Sequence, residues 1–401
     1  MNFFIFSFEN KLFLQSKTIM NAKTYRRYIF FFLPLPVFML TVIFFVAIWI
    51  EPFSGDLTRL GGFPENWYGW EAFQSKLPRT LHSVEKYDSY YDVVVLGDSF
   101  SYRKVGQQSR QGSFWQDFLI NKTGLSVIVF DANRTKADDI INSSVYKSHP
   151  PKIFIYENIE RDLVYIPSNM ELEYEKGSCE VMSLPRIRAS HIAELNLQLE
   201  SYKRGKNYNK NIVIESEDKK VHFTDKFNQA SNVVKKRLLD QLLGLNLTKV
   251  RKFKLTDNEL FSNHLSNHLL VYENDLFKKH WDKNQIANVR CYLVNLQNKI
   301  QKSGETFFIF MAVPDKLTVY QDYIVNAGEY NGISKLSLFR TPGFHFISLL
   351  DPIKIAVNKG KKDIYLPNDT HWGSAGHEIV SDYLINYLYN NNLLIARNAS
   401  G

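Results

Sequence analysis

A hydroxyl is a weak nucleophile until a base within hydrogen-bond reach takes its proton, and an imidazole does this best when a carboxylate fixes its tautomer. Ser99, His371 and Asp369 have the residue types for such a relay. Ser99 lies in the stretch YDVVVLGDSFSYR, residues 91–103, where four apolar residues, Val93 to Leu96, run without alternation and stop at Gly97-Asp98-Ser99. That pattern predicts a strand buried on both faces and ending in a tight turn. It would put the serine at the carboxyl edge of a parallel sheet, where open α/β folds place their chemistry. Asp369 and His371 stand two apart, so in an extended loop both side chains point the same way and the carboxylate can reach the ring.

The elements that must position these groups follow an α/β rhythm. A short helix over 113–120, a strand at Ser126–Phe130, a helix near Lys136–Tyr146 and a strand at Lys152–Tyr156 succeed the Ser99 turn. After Asp282, Ile286, Val289, Leu293, Leu296 and Ile300 step by three and four, Gly304 ends that helix, and Thr306–Val313 reads as a fourth strand. His345–Leu350 is a candidate fifth strand, and a last helix carries Ile379, Val380, Leu384 and Leu388. The expected fold is a doubly wound, mainly parallel sheet of about five strands over residues 91–395. A lapse at 165–280 reads as a helical insertion covering one side of the site, with Phe227, Ala230, Val234, Leu238, Leu242 and Leu245 on one helical stripe.

Tyr28 to Ile50 carries no charge over the length needed to span a hydrocarbon core. Lys17, Lys23, Arg26 and Arg27 precede it and Glu51 follows, so residues 1–27 are expected in the cytoplasm and the rest outside. A cleaved signal peptide is the alternative, with a poor small-residue site at 45–49; Met20 is an alternative start. Residues 51–90, rich in Gly, Pro and Trp, read as a folded connector whose Trp67, Trp70 and Phe73 rest at the lipid interface or cap the domain. The formal charge of +8 is spread along the chain, which suits a solvated surface or anionic polymers and not nucleic acid. The two cysteines, Cys179 and Cys291, are compatible with one disulfide or with two free thiols.

Leu96-Gly97-Asp98-Ser99-Phe100, together with Asp369-Thr370-His371-Trp372 and Gly376, resembles the SGNH (GDSL-like) hydrolase superfamily, over about residues 91–165 and 305–390. The branch it is most similar to is the alginate O-acetyltransferase-like proteins of bacterial exopolysaccharide acetylation, marked by GDSF and D-x-H-W; residues 156–162 (YENIERD), Val313-Pro314-Asp315-Lys316 and Val319-Tyr320 also resemble that branch. The resemblance implies a Ser-His-Asp enzyme with an acyl-serine intermediate, a polysaccharide acceptor, and an acetyl donor supplied by a membrane-bound O-acyltransferase partner. It implies a domain facing the periplasm from the bacterial inner membrane. Here Ser99 precedes the Asp and His, the order of ordinary SGNH hydrolases and the reverse of the alginate-type proteins. The superfamily's oxyanion hole uses a backbone N–H, a Gly and an Asn; Ala132-Asn133-Arg134 has no Gly, so Asn133 or Asn158 is expected to donate.

Arg161, like Arg103 and Arg134, follows a strand end and is a candidate for an acidic sugar or an oxyanion, or for a structural salt bridge. Trp372 is a candidate to stack on a sugar or to pack beneath His371, and Tyr320 and Lys316 are candidates to line the cleft. Asp98 is expected to stabilise its turn. No HExxH or Cys/His cluster is present, so neither a metal nor another cofactor is expected, His377 notwithstanding. An esterase or deacetylase with the same triad, and a catalytically silent glycan-binding scaffold of a secretion complex, remain as alternative functions.

Overall fold

A computed structural model describes residues 22–77, 87, 89–102, 112–169, 179, 222–244 and 248–394. Most of the proposed tail, Arg103, much of the insertion and Leu245 lie outside the described residues. Helices α1 (Ala22–Phe32) and α2 (Pro34–Trp49) follow one another across Leu33. Arg26–Trp49, 24 residues containing an 18-residue stretch of mean hydropathy 2.7, is long and apolar enough to cross a membrane. The connector, which shows no period in sequence, forms two short helices, α3 (Asp56–Gly61) and α4 (Glu65–Tyr68).

Next come β1 (Val93–Gly97), α5 (Trp115–Thr123), β2 (Val127–Asp131), α6 (Ala137–Ile141), α7 (Ser144–Ser148) and β3 (Ile153–Ile159). The helix expected near 136–146 is two helices because Ser143 caps the second, its hydroxyl accepting from Tyr146 N at 3.2 Å. The second half holds α8 (Phe223–Leu243), β4 (Val250–Lys254), β5 (His268–Tyr272), α9 (Lys283–Gln301), β6 (Phe307–Val313), α10 (Lys316–Tyr320), β7 (Phe346–Ser348), α11 (Leu350–Asn358) and α12 (Ser374–Asn390).

Five strands form a wholly parallel sheet in the order β2-β1-β3-β6-β7. The unalternating apolar runs are explained by two cores. Val93, Val95, Ile153, Ile155, Ile309 and Met311 face α5, α11 and α12, while Val94, Leu96, Phe154, Tyr156, Phe308 and Phe310 face α6 and α9. The chain runs from β1 outward to β2 and then crosses to β3 on the other side of β1. The crevice between the carboxyl ends of β1 and β3 is therefore the switch point of the sheet.

The insertion is not purely helical. β4 and β5 form an antiparallel hairpin whose Val250 and Leu270 pack on Leu57, Phe63 and Tyr68 of the connector. Helix α8 lies along α2, Ala230 and Val233 meeting Ala47 and Ile50, so it braces the apolar helix instead of covering Ser99; Val233, not Val234, takes the buried position. Trp67 meets Trp49 edge-on at 5.4 Å, and Phe73 is exposed. Cys179 and Cys291 form a disulfide that ties the insertion to α9.

A buried ion cluster joins three segments below the sheet edge. Lys278 Nζ donates to Glu160 at 3.0 Å, to Thr318 Oγ1 at 2.7 Å and to Asp315, with no solvent exposure of the three charged side chains. Removing one member of such a cluster strands the others without a counter-charge. Lys278→Met is expected to lower stability by about 3–5 kcal/mol, read as a drop in the denaturant midpoint of the full chain.

Candidate active site

Ser99 projects from the turn that ends β1, and the turn is built by its neighbours. Asp98 accepts from Phe100 N and from Ile159 N, both at 2.8 Å, which locks the turn onto the end of β3. Asp98 N donates to Glu157 Oε2 at 3.2 Å; burial, with Asp98 adding to it, pushes the Glu157 carboxyl well above its ordinary range. Gly97 is required by close approach: a Cβ there would stand 2.5 Å from Ser101 Cβ and 2.7 Å from Glu157 Oε2.

The far segment meets this turn. His371 Nε2 lies 2.7 Å from Ser99 Oγ and His371 Nδ1 lies 2.6 Å from Asp369 Oδ1. With Nδ1–H given to the carboxylate, Nε2 is left to accept the Ser99 hydroxyl proton. Burial pulls the imidazole down, but the Asp369 charge and hydrogen bond outweigh it, Asp56 adding and Arg161 opposing, so His371 sits above its ordinary value of 6.5. Phe100, fully buried, supports the ring at a centroid distance of 4.9 Å.

The loop carrying the pair is pinned from below. Lys316, buried and not in the cleft, donates Nζ to the carbonyls of Leu366 (2.7 Å), Pro367 (2.9 Å) and Asp369 (3.1 Å). Burial draws its pKa down to about 7 against the pull of Asp369 and Asp56. Tyr365 OH donates to Pro314 O, and Leu366 N donates to His371 O at 3.0 Å. Two expected substrate residues belong to this support. Trp372 has no exposure and packs on Phe100 at 4.7 Å, so it is closed to a sugar. Tyr320 is also fully buried, its hydroxyl accepting from Tyr365 N at 3.4 Å; it does not line the cleft.

A second carboxylate, unmarked in the sequence, enters from the connector. Asp56 accepts from Thr370 N at 2.8 Å and Thr370 Oγ1 at 2.5 Å, its own N–H donates to Asp369 Oδ2 at 3.1 Å, and its Oδ2 is 3.9 Å from His371 Nδ1. Asp56, Asp369 and His371 are close enough to hold a cation. Both carboxylates already accept from protein donors, which fits an internal network better than a metal centre.

Beside Ser99 opens a cavity of about 290 Å³ lined by Asn133, Asn158, Arg161, Asp162 and Tyr165. Asn158, nine-tenths buried at the end of β3, has an amide oxygen with no partner among the described residues. That oxygen is an acceptor, so an oxyanion role would fall to the Asn158 amide N–H; Asn133 is exposed and its amide donates to Asp131 at 3.1 Å. Arg161 lines the cavity but spends NH1 on Asp275 and Asp315, each at 3.2 Å, and the salt-bridge alternative describes it. Arg134 faces Asp131 at 3.5 Å. Tyr165, half exposed, supplies the aromatic face that Trp372 does not, and Asp162 adds a carboxylate whose pKa burial raises to about 6. His377 is buried elsewhere, its Nδ1 accepting from Trp115 N at 3.2 Å.

A fluorophosphonate probe is expected to label the wild-type chain at one serine and to leave Ser99→Ala unlabelled. Asp369→Asn is expected to slow labelling by about 10⁴-fold through the wrong tautomer. Because His371 must be neutral to act as base and its pKa is raised, the labelling rate of the wild type is expected to climb with pH to a half-maximum above 6.5. No family model, no curated protein and no solved structure matches this chain, so the arrangement of these side chains is what bears on its function.

Proposed function

We propose that this chain is a membrane-tethered serine acyltransferase that passes an acetyl group through Ser99 to a hydroxyl of a cell-surface or exported polysaccharide, as do the SGNH and alginate O-acetyltransferase-like proteins its motifs resemble. The observation that carries the reading is the relay from Asp369 through His371 to an exposed serine beside a cavity. Ser99 Oγ attacks the acyl carbonyl while His371 Nε2 takes its proton; the ring returns that proton to the departing donor group and the acyl ester remains on Ser99. A sugar hydroxyl then gives its proton to Nε2 as its oxygen attacks the ester, and Ser99 Oγ recovers a proton as its bond to the acyl carbon breaks. Asn158 takes the oxyanion role that the resemblance assigns to an Asn.

The cavity bears on both substrates. At about 290 Å³ it lies at the small end of ligand pockets, which run roughly 300–1,000 Å³, a size that suits an acetyl unit and a sugar ring. Two cations, Arg161 and Lys278, stand among Asp98, Glu160, Asp162, Asp275 and Asp315. Arg161 is already paired with Asp275 and Asp315, and a further carboxylate placed beside Asp162, whose carboxyl burial raises to about 6, is repelled above that pH, which favours a neutral sugar over a uronate. Tyr165 offers an apolar face for the sugar's C–H groups.

The basic residues before the apolar helix and the Cys179–Cys291 disulfide both support a domain in an oxidising periplasm. No acetyl-CoA reaches that compartment, so the donor comes from a partner, on the resemblance a membrane-bound O-acyltransferase.

Incubating the full chain in detergent with a chromogenic acetyl ester and glycan acceptors tests the reading. Acetylated glycan, lost in Ser99→Ala, is the expected result. Acyl release to water alone would make it an esterase, and no acyl-Ser99 at all a scaffold. Neutral glycans are expected to outcompete uronate polymers, and Asp162→Asn to narrow that preference.

A further inference from the structure

The chain reaches Asp56 six residues after Ile50, the residue that caps α2. Those six residues span at most about 20 Å. They do not pass the domain as a loose leash. Gly55 is pressed so closely on the loop that a Cβ would lie 2.1 Å from Asn368 O, and Leu57 N and Thr58 N both donate to that carbonyl, at 3.1 and 3.3 Å. Glu65, buried, accepts from Ser54 N, Gly55 N and Asn368 Nδ2 at 2.9, 3.0 and 2.7 Å. The net result is a backbone clamp that delivers the Asp56 carboxylate against Thr370 and its N–H against Asp369.

Resting on the acyl-serine reading above, we propose that Asp56 is a positioning residue for His371, so that the segment leaving the apolar helix is built into the acyl-transfer centre. Its N–H fixes the Asp369 carboxylate, its side chain fixes Thr370, and the ring between them has one orientation left. Its charge lies behind the imidazole on the side away from Ser99, where it stabilises the imidazolium formed when the serine gives up its proton. The charged groups facing His371 are Asp369 from its own loop, Asp56 from α3 and, at longer range, Asp98 from the serine turn and Arg161 from the segment after β3. Asp56 is the one among them that comes from the tether. Burial and the facing Asp369 raise its carboxyl above the ordinary range, against the opposing pull of His371 and the two bonds from Thr370.

The test compares full-length wild type, Asp56→Asn, Thr370→Val and Thr370→Ser in detergent, by fluorophosphonate labelling across pH and by NMR titration of the His371 ring. Asp56→Asn is expected to slow labelling about 10–100-fold and to lower the His371 midpoint by about one unit. Thr370→Val, which leaves Asp56 in place, is expected to lose part of the rate and Thr370→Ser to restore it. A role in folding alone would lower the melting temperature without moving the midpoint. An unchanged midpoint in Asp56→Asn with labelling within about twofold of wild type overturns the proposal. A wild type that takes no label overturns the acyl-serine reading instead, and the ring titration still decides whether Asp56 acts on His371.

Discussion

The placement of one short loop, residues 366–372, is the constraint on which everything else in this molecule depends. The serine and the imidazole are 272 positions apart and approach to 2.7 Å. A shift of even an ångström at such a contact costs heavily in rate. The loop has little regular structure of its own to hold it, only the bridge between Tyr365 and Trp372. Its rigidity is imported: Lys316 gathers three of its carbonyls, Asp56 and Glu65 grip it from the connector, and Phe100 and Trp372 fill the space beneath the ring. Apart from Trp372, these supports come from the connector, the Ser99 turn and the start of α10, so the relay reports the correct assembly of the whole sheet edge.

The ion cluster around Lys278 serves the opposite wall. Glu160 and Arg161 leave β3, Asp315 leaves β6, and Asp275 and Lys278 come from the segment after the hairpin, and their mutual pairing sets where the cavity ends. A buried cluster of this kind contributes little net stability compared with apolar packing, but it tolerates only one arrangement. That makes it suited to shaping a site. It also gives a physical meaning to two stretches that stood out as motifs, residues 156–162 and 313–316: they meet here, where Arg161 and Glu160 pair with Asp315 and its neighbours.

The sheet was legible because its signals are local. Val93–Leu96 and Phe307–Val313 are buried on both faces, and no other environment accepts such unbroken apolar runs as readily. Ser99 and the Asp369–His371 pair were legible because strand end and residue spacing together restrict the chemistry. Asp56 was not: an acid in EPFSGDL looks like any helix start, and its meaning comes from a contact across 314 positions. The hairpin hid behind charge, since Arg251, Lys252 and Lys254 break any apolar alternation, while Val250 is the one fully buried residue of β4 and Phe253 packs partly buried. Residue type speaks for sugar binding at Tyr320 and leaves Trp372 open between stacking and packing, and only burial reveals packing for both; Tyr165, on the short helix after β3, is a half-exposed ring lining the cavity.

The connection between tether and site has a consequence for how an acyl group arrives. With Asp56 within about 20 Å of the end of the apolar helix along the chain and clamped to the loop of His371, the relay cannot swing far from whatever surface that helix enters. Helix α8 reinforces this by lying along the same helix, Ala230 and Val233 against Ala47 and Ile50. On the acyltransferase reading, a donor diffusing freely gains nothing from such an arrangement, because a long flexible linker would serve it equally well. A donor presented at the membrane face gains a great deal: the short clamped tether confines serine and donor to one thin layer and raises their effective concentration. The cavity itself opens between the ends of β1 and β3, where the sheet changes direction, which on the same reading is where the acceptor hydroxyl would meet Ser99.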